Sequence, residues 1–323
     1  MSKKQVKRMY FKKDIGNNSG KVKLNEVPIT TLFEYFISDK KIEGLASRTL
    51  DDYYTHFSYL MDYLQSELVN TQFTTSIFKG YIAYMLDEKQ LNPVTVNVRI
   101  RTIRAFLRYC FMQNYIKDPI HEQFKPVKTI EDTLESFTPE EVKKLISVID
   151  DKTYKGFRDK LIIFVLLDTL VRCSELANIK RKNVDIRAGL ITLESLDTKS
   201  KKTRVVPIST KTVKLLKEYL SITEDFDSEI LFLTYEGTNL SDNTVRKNLA
   251  EYGQIARINK RVSPHTFRHT GALFYILNGG DPFSLQKILG HTDMSMVRKY
   301  IQMTNTDVKK QHNMYSPLNN VFK

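Results

Sequence analysis

Three times in this chain a short polar residue stands directly before a proline at the head of a helical pattern: Thr138-Pro139, Ser263-Pro264 and Asp281-Pro282. Each pair is a helix start. The polar side chain caps free amides, and proline at the first helical position gives up only an N–H that had no partner. A fourth break, Asn92-Pro93, precedes a helical pattern that Thr95 is expected to cap and that runs to about Cys110, with Val98, Ile103, Phe106, Leu107 and Cys110 as its buried stripe. Three more helices are expected before it. One runs from Thr30 to about Phe36, and one from Ser47 or Thr49 to about Leu68 on a stripe of Tyr53, Phe57, Leu60, Met61 and Leu64. The third runs from Thr74 or Thr75 to about Leu86. Only two β-patterned runs stand out, Gly189 to Glu194 and Thr203 to Ile208, joined by a lysine-rich tip. The expected fold class is therefore mainly α with some α+β character: a helical N-terminal domain, then a helical domain carrying a small antiparallel sheet.

The domain limits follow from breaks in pattern and charge. Residues 1–24 carry eight basic side chains and one acid, and read equally as an arm for phosphates or as a solubilising tail. A helical domain spans 25–118, and Asp118-Pro119 ends it. A polar stretch at 119–135, with Pro119 and Pro126 and no clear period, reads as a linker. The second domain spans 136–303, leaving a tail at 304–323.

Lys plus Arg number 50 against 37 acids, a formal charge of +13, so a polyanionic partner is expected. A membrane is not: the longest apolar run, Leu161 to Leu167, is far short of a span, and Met1 to Lys13 is basic with no apolar segment behind it. The expected setting is the cytoplasm, at the nucleoid. Cys110 and Cys173 offer neither zinc spacing nor a disulfide framework. Residues 25–135 are net acidic, with 12 basic and 15 acidic side chains, yet Arg101, Arg104 and Arg108 fall at i, i+3 and i+7 on one helical face. That concentration against an acidic background points to DNA contact. Lys201 and Lys202 at the hairpin tip are further candidate DNA contacts.

The most informative stretch is Ser263 to Tyr300. His265 and Arg268 lie three apart on one helix, Gly279-Gly280 stops it, and Gly290 sits where a left-handed cap ends the next, leaving His291 just beyond. A third short helix, from near Thr292 or Asp293, carries Tyr300. Upstream, Arg172 lies beside Ser174 and Glu175 after an apolar helix, where it either simply ends that helix or is fixed by a carboxylate partner and aimed into a site. Guanidinium and imidazolium donors suit the oxygens of a phosphodiester, a phenol can attack phosphorus, and a lysine on a hairpin can protonate the leaving oxygen. His265 and His269 at i, i+4 could in principle bind zinc. Arg268 would crowd the cation, however, and no carboxylate cluster accompanies them, so no metal is expected.

Arg172, Lys199, His265-Thr266-Phe267-Arg268-His269, Leu289-Gly290-His291 and Tyr300 together resemble the signature of the tyrosine recombinases, the integrase and Xer-type family, with spacings of 23 and 9 from Arg268 to His291 to Tyr300. The resemblance covers about residues 27–310. It implies a helical core-binding (SAM-like) domain before the catalytic domain, and a C-shaped clamp on duplex DNA that acts as a homotetramer on two synapsed sites. Tyr300 would form a 3′-phosphotyrosine, Arg172 and Arg268 would hold the phosphate, His265 and His291 would donate to it or move protons, and Lys199 would be the general acid. Neither ATP nor a metal would be required. Residues 304–323 would pack on a neighbouring subunit, with Val308 and Met314 as anchors, and an accessory protein is left open as a further partner. Lys199 is chosen over Lys201 and Lys202 by its offset from Val206-Pro207.

This sequence departs from the family pattern at Thr169-Leu170-Val171-Arg172, where Thr-Gly-Leu-Arg is usual, so the turn before Arg172 is in question. Phe267 stands in place of the usual leucine. The lack of a separate arm-binding domain before residue 25 leans towards a Xer-like or small mobile-element recombinase. A DNA-binding regulator on the same scaffold is the competing class. The intact nucleophile and its cations favour the enzyme.

Overall fold

The computed structural model describes residues 26–129, 135–194, 202–290, 294–303, 312–314 and 316–321. Two compact units divide the chain, 1–131 and 132–323.

In the first unit, α1 (Ile29–Ile42), α2 (Ser47–Leu64), α3 (Thr75–Ala83) and α4 (Pro93–Met112) enclose a core of rings. Phe33 stacks on Phe57 at 3.8 Å between centroids, and Phe106 meets Phe33, Phe36 and Phe57 edge-on. Several expectations shift. Helix α1 runs past Phe36 because Ile37 is also buried, and Lys40 and Lys41 complete its last turn favourably for the helix dipole. Helix α3 widens into a π-turn, Tyr84–Glu88, rather than continuing regularly to Leu86. Asn92, not Thr95, caps α4: its side chain accepts from Val94 N at 2.8 Å, with Pro93 following as the first helical residue. Val98 is exposed, and Val96 and Ile100 take its place in a buried stripe that otherwise holds Ile103, Phe106, Leu107 and Cys110 as expected. The stretch after Pro119 is packed, since Ile120 and Phe124 insert into the same core. Asn70 fastens the unit's ends together, accepting from Val27 N and donating to Tyr115 O.

The second unit begins at α5 (Pro139–Ser147), where Thr138 and Glu141 form a reciprocal capping box. Helix α6 (Tyr154–Thr169) and α7 (Cys173–Ala177) lead to an antiparallel sheet of β1 (Val184–Asp185), β2 (Leu190–Leu193) and β3 (Arg204–Pro207), in which Ile191 pairs with Val206 and Leu193 with Arg204. Then follow α8 (Thr210–Ile222), α9 (Asp242–Ile255), α10 (Pro264–Leu277), α11 (Pro282–Leu289) and α12 (Ser295–Met303). The main core joins α6, the sheet and α10 through Leu161, Val165, Ile191, Val206 and Phe267. Helices α6 and α10 approach closely because residue 271 is glycine; a Cβ there would lie 2.5 Å from Leu167 O. A second, smaller core gathers Leu170, Ala272, Leu285, Leu289, Val297 and Tyr300, and so moors α11 and α12 to α10. No helix among the described residues is long and apolar enough to cross a membrane.

Candidate active site

The turn between α6 and α7 builds one wall. Leu170 ends α6 in the left-handed conformation (φ 56°, ψ 27°), a position that ordinarily favours glycine. The strain is of order 1–2 kcal/mol, and burial of the Leu170 side chain in the smaller core opposes it. The turn questioned from sequence is thus made, with a leucine in it. Two residues on, Arg172 caps α7, and Glu175 reaches back to it: Oε2 accepts from Arg172 N at 2.8 Å and Oε1 from Arg172 Nη1 at 3.0 Å.

Glu175 holds a second arginine as well. Arg204, on β3, donates Nη1 and Nη2 to the two carboxylate oxygens at 3.0 and 2.7 Å, the bidentate geometry that suits a planar guanidinium. Its Nε donates to Ile288 O at 3.1 Å. Gly290 is the left-handed cap of α11 (φ 65°), and a Cβ there would come within 3.1 Å of the Arg204 guanidinium. The glycine thus serves both the backbone and the arginine beside it. Burial alone would push the Glu175 pKa up. The hydrogen bonds from Arg204 and Arg172 N, with both guanidinium charges, outweigh burial and hold it below the usual carboxylate range.

Arg268 is buried and anchored by backbone carbonyls, Nη1 donating to Leu170 O and Nη2 to Leu289 O at 2.8 Å. Burial first, and then the charge of Arg172, lower its pKa to about 10, which leaves it cationic at neutral pH. His265, one turn earlier on α10, is exposed. Burial of part of its ring, and then the charges of Arg268, Arg261 and Arg172, lower its pKa and keep it neutral near pH 7. Its Nε2 meets His269 Nε2 at 2.6 Å, and His269 Nδ1 meets Tyr300 Oη at 2.5 Å. Tyr300 is only 1% exposed. Burial pushes its pKa up to about 12, against the pull of Arg268.

Arg172, His265, Arg268 and Tyr300, drawn from three stretches of the sequence, therefore lie within electrostatic reach of one another. The family profile described as "Phage integrase family" matches residues 135–306, more than half of the sequence. The chain belongs to the phage integrase family. A second profile, the phage integrase SAM-like domain, matches residues 29–127. Tyrosine recombinase XerD of Staphylococcus epidermidis is 27% identical over 300 residues, covering 90% of this chain and 99% of the relative. XerD of Staphylococcus aureus is 27% identical over 298 residues, covering 89% and 99%. The fold is shared with the Tn1549 transposon integrase in complex with a circular intermediate DNA (TM-score 0.76, 17% identity, 88% of this chain and 98% of that one). It is also shared with a lambda integrase dimer bound to a COC′ core site (TM-score 0.72, 16% identity, 85% and 77%). This integrase is a tyrosine-type site-specific recombinase.

The remaining expected residues are placed unevenly. Lys199, Lys201, His291, Val308 and the basic tail lie outside the described residues. Lys202 and Met314 are exposed. In the first unit, Arg101 and Arg108 are exposed, while Arg104 Nε donates to His121 O at 2.8 Å and so holds the turn Ile120–Glu122 against α4. Sequence reasoning missed Arg204 and gave His269 no role beyond that of a rejected zinc ligand. The signals were present. Arg204 is two residues from the inward-facing Val206 on one strand, and His269 lies one helical turn from His265.

Proposed function

We propose that this recombinase cuts and rejoins duplex DNA at specific sites with Tyr300 as its nucleophile. The phenol oxygen attacks the scissile phosphate, the P–O5′ bond breaks, and a 3′-phosphotyrosine and a free 5′-hydroxyl result. Attack by a second 5′-hydroxyl reverses the step and frees Tyr300, so the ester conserves the bond energy with neither ATP nor a metal. Arg172 and Arg268 bind the non-bridging oxygens, where charge grows in the transition state. Glu175 and the carbonyls of Leu170 and Leu289 fix the two guanidinia beforehand. His265 and His291 donate to the phosphate or move protons, and Lys199 protonates the leaving 5′-oxygen.

Around this chemistry, residues 25–118 and the hairpin lysines Lys201 and Lys202 grip the duplex, with Arg101, Arg104 and Arg108 on the phosphates. Residues 119–135, whose first part packs into the core of that domain, join it to the catalytic domain at 136–303. The tail at 304–323 exchanges between subunits of a homotetramer on two synapsed sites, in the cytoplasm at the nucleoid. A Xer-like resolvase or mobile-element integrase is the role we favour.

The observation that carries the proposal is the unbroken link from the Tyr300 phenol through His269 to His265, on the same helix as Arg268. A nicked suicide substrate tests the assignment. We expect a covalent protein–DNA adduct mapping to Tyr300, and its loss in Tyr300→Phe with DNA binding retained. An adduct that persists in Tyr300→Phe discards this nucleophile. No adduct from the unaltered protein, with DNA still bound, would favour a regulator.

A further inference from the structure

The three polar rings beside Arg268 form a chain whose outer end is open. Tyr300 Oη and His269 are buried, while His265 is exposed. The contacts run Oη to Nδ1 of His269, and Nε2 of His269 to Nε2 of His265. A neutral imidazole has one N–H and one lone pair, so the two contacts on His269 have opposite polarity. If Tyr300 donates to Nδ1, then Nε2–H donates to His265, whose own proton sits on Nδ1.

We propose that His269 is the proton acceptor for the nucleophile and passes the charge on to His265, so that binding of the phosphodiester itself switches Tyr300 on. The inference rests on reading Tyr300 as the nucleophile. In the step, the phenol O–H breaks as an N–H forms at His269 Nδ1. The His269 Nε2–H breaks as an N–H forms at His265 Nε2, leaving His265 an imidazolium with both nitrogens protonated. The phenolate pair goes to phosphorus, and the P–O5′ pair leaves with the 5′-oxygen. In rejoining, the proton returns along the same two bonds.

The trigger follows from the charges around the outer ring. Partial burial lowers the proton affinity of His265, and the charges of Arg268 on α10, Arg261 just before it and Arg172 from the α6–α7 turn lower it further. Glu175 and Arg204 stand behind Arg172 and Arg268. A phosphodiester anion seated on those guanidinia cancels much of their field at His265. The imidazole then holds a proton more readily, which draws one away from the phenol. Buried as it is, Tyr300 loses its proton less easily than in water until that happens.

His269→Asn separates this role from simple mooring. Asparagine places an amide near the Nδ1 position and can still bond Tyr300, but it does not reach His265. We expect single-turnover cleavage of the suicide substrate to fall by about 10²-fold or more, with DNA binding and melting temperature close to those of the parent. A trifluorotyrosine at position 300, whose phenol ionises more easily, should recover at least tenfold of the loss. Cleavage within about threefold of the parent, or a loss that the fluorinated phenol does not relieve, overturns the relay. In either case the Tyr300 adduct of the parent still stands as the test of the nucleophile. Should His269→Asn fail to fold, nitrogen-15 spectra of the histidines in the unaltered protein decide. A neutral His269 protonated on Nε2 supports the relay, and one protonated on Nδ1 overturns it.

Discussion

Around Phe33 the first unit buries rings, whereas around Glu175 the second buries charges. Phe33, Phe36, Phe57 and Phe106 fill the helical core of the first unit, and the buried polar side chains described there are Asn70, Thr102 and His121. The second unit buries Arg158, Asp159, Glu175, Arg268 and His269. Each of these has specific partners. Asp159 alone accepts from Arg158, Asn248 Nδ2 and Tyr252 Oη. A ring core tolerates sequence change so long as volume is kept, because dispersion has little direction. A buried charge tolerates only its own partner, because an unpaired one faces the full cost of desolvation. One unit is built to keep a shape, and the other to keep cations aimed.

The sharpest way to break that contrast is to compare Glu175→Ala with Phe33→Ala. Each should lower unfolding stability at pH 7 by about 3–5 kcal/mol, so size does not distinguish them. Acid does. Glu175 has its carboxyl held below the usual range, so its contribution is complete above the unfolded-state pKa, about 4.3, and is lost as pH falls through the folded value. The gap between the parent and Glu175→Ala should therefore shrink below about pH 4, while the gap for Phe33→Ala stays level. Urea melts across that range check it. Equal pH slopes would mean that Glu175 stabilises by packing rather than by charge.

Leu170 sits where the two strategies meet, since its carbonyl accepts from the Arg268 guanidinium and its side chain packs with Tyr300. Leu170→Gly would relieve about 1–2 kcal/mol of left-handed strain but would empty space worth about 2–5 kcal/mol. We expect a net loss of roughly 1–3 kcal/mol and a Tyr300 phenol that titrates below about 12 as its cover loosens. A spectrophotometric titration against the same variant carrying Tyr300→Phe reads the phenol. Unchanged or higher stability would show that the side chain adds nothing to the mooring of Tyr300.

What the sequence disclosed and what it hid divide along the range of the interaction. Thr138, Ser263, Asp281 and Gly290 were legible because a cap is settled by residues three or four positions away. Leu170 was not, since its own propensity opposes the left-handed turn and only partners on α10, α11 and α12 overcome it. Arg204 was hidden for the same reason: its carboxylate lies 29 residues back and its carbonyl partner 84 residues ahead. The motif residues Arg172, His265, Arg268 and Tyr300 could be picked out by resemblance, but the wiring between them could not.

The arginines of α4 give the smallest expected effect and the finest test, because one helix face mixes both uses of a cation. Arg101 and Arg108 project into solvent, whereas Arg104 spends its Nε on His121 O. A phosphate contact releases a counterion, so Arg101→Ala should weaken DNA binding about equally for all sequences and lower the slope of log affinity against log salt by about one, with no change in melting temperature. Arg104→Ala should instead lose about 1 kcal/mol of stability and change the slope by less, since part of its guanidinium already belongs to the fold. Binding titrations at several salt concentrations, run beside thermal melts, separate the two. An equal slope change in both variants with no loss of stability in either would mean that the bond to His121 is incidental and that Arg104 faces the phosphates as freely as its neighbours.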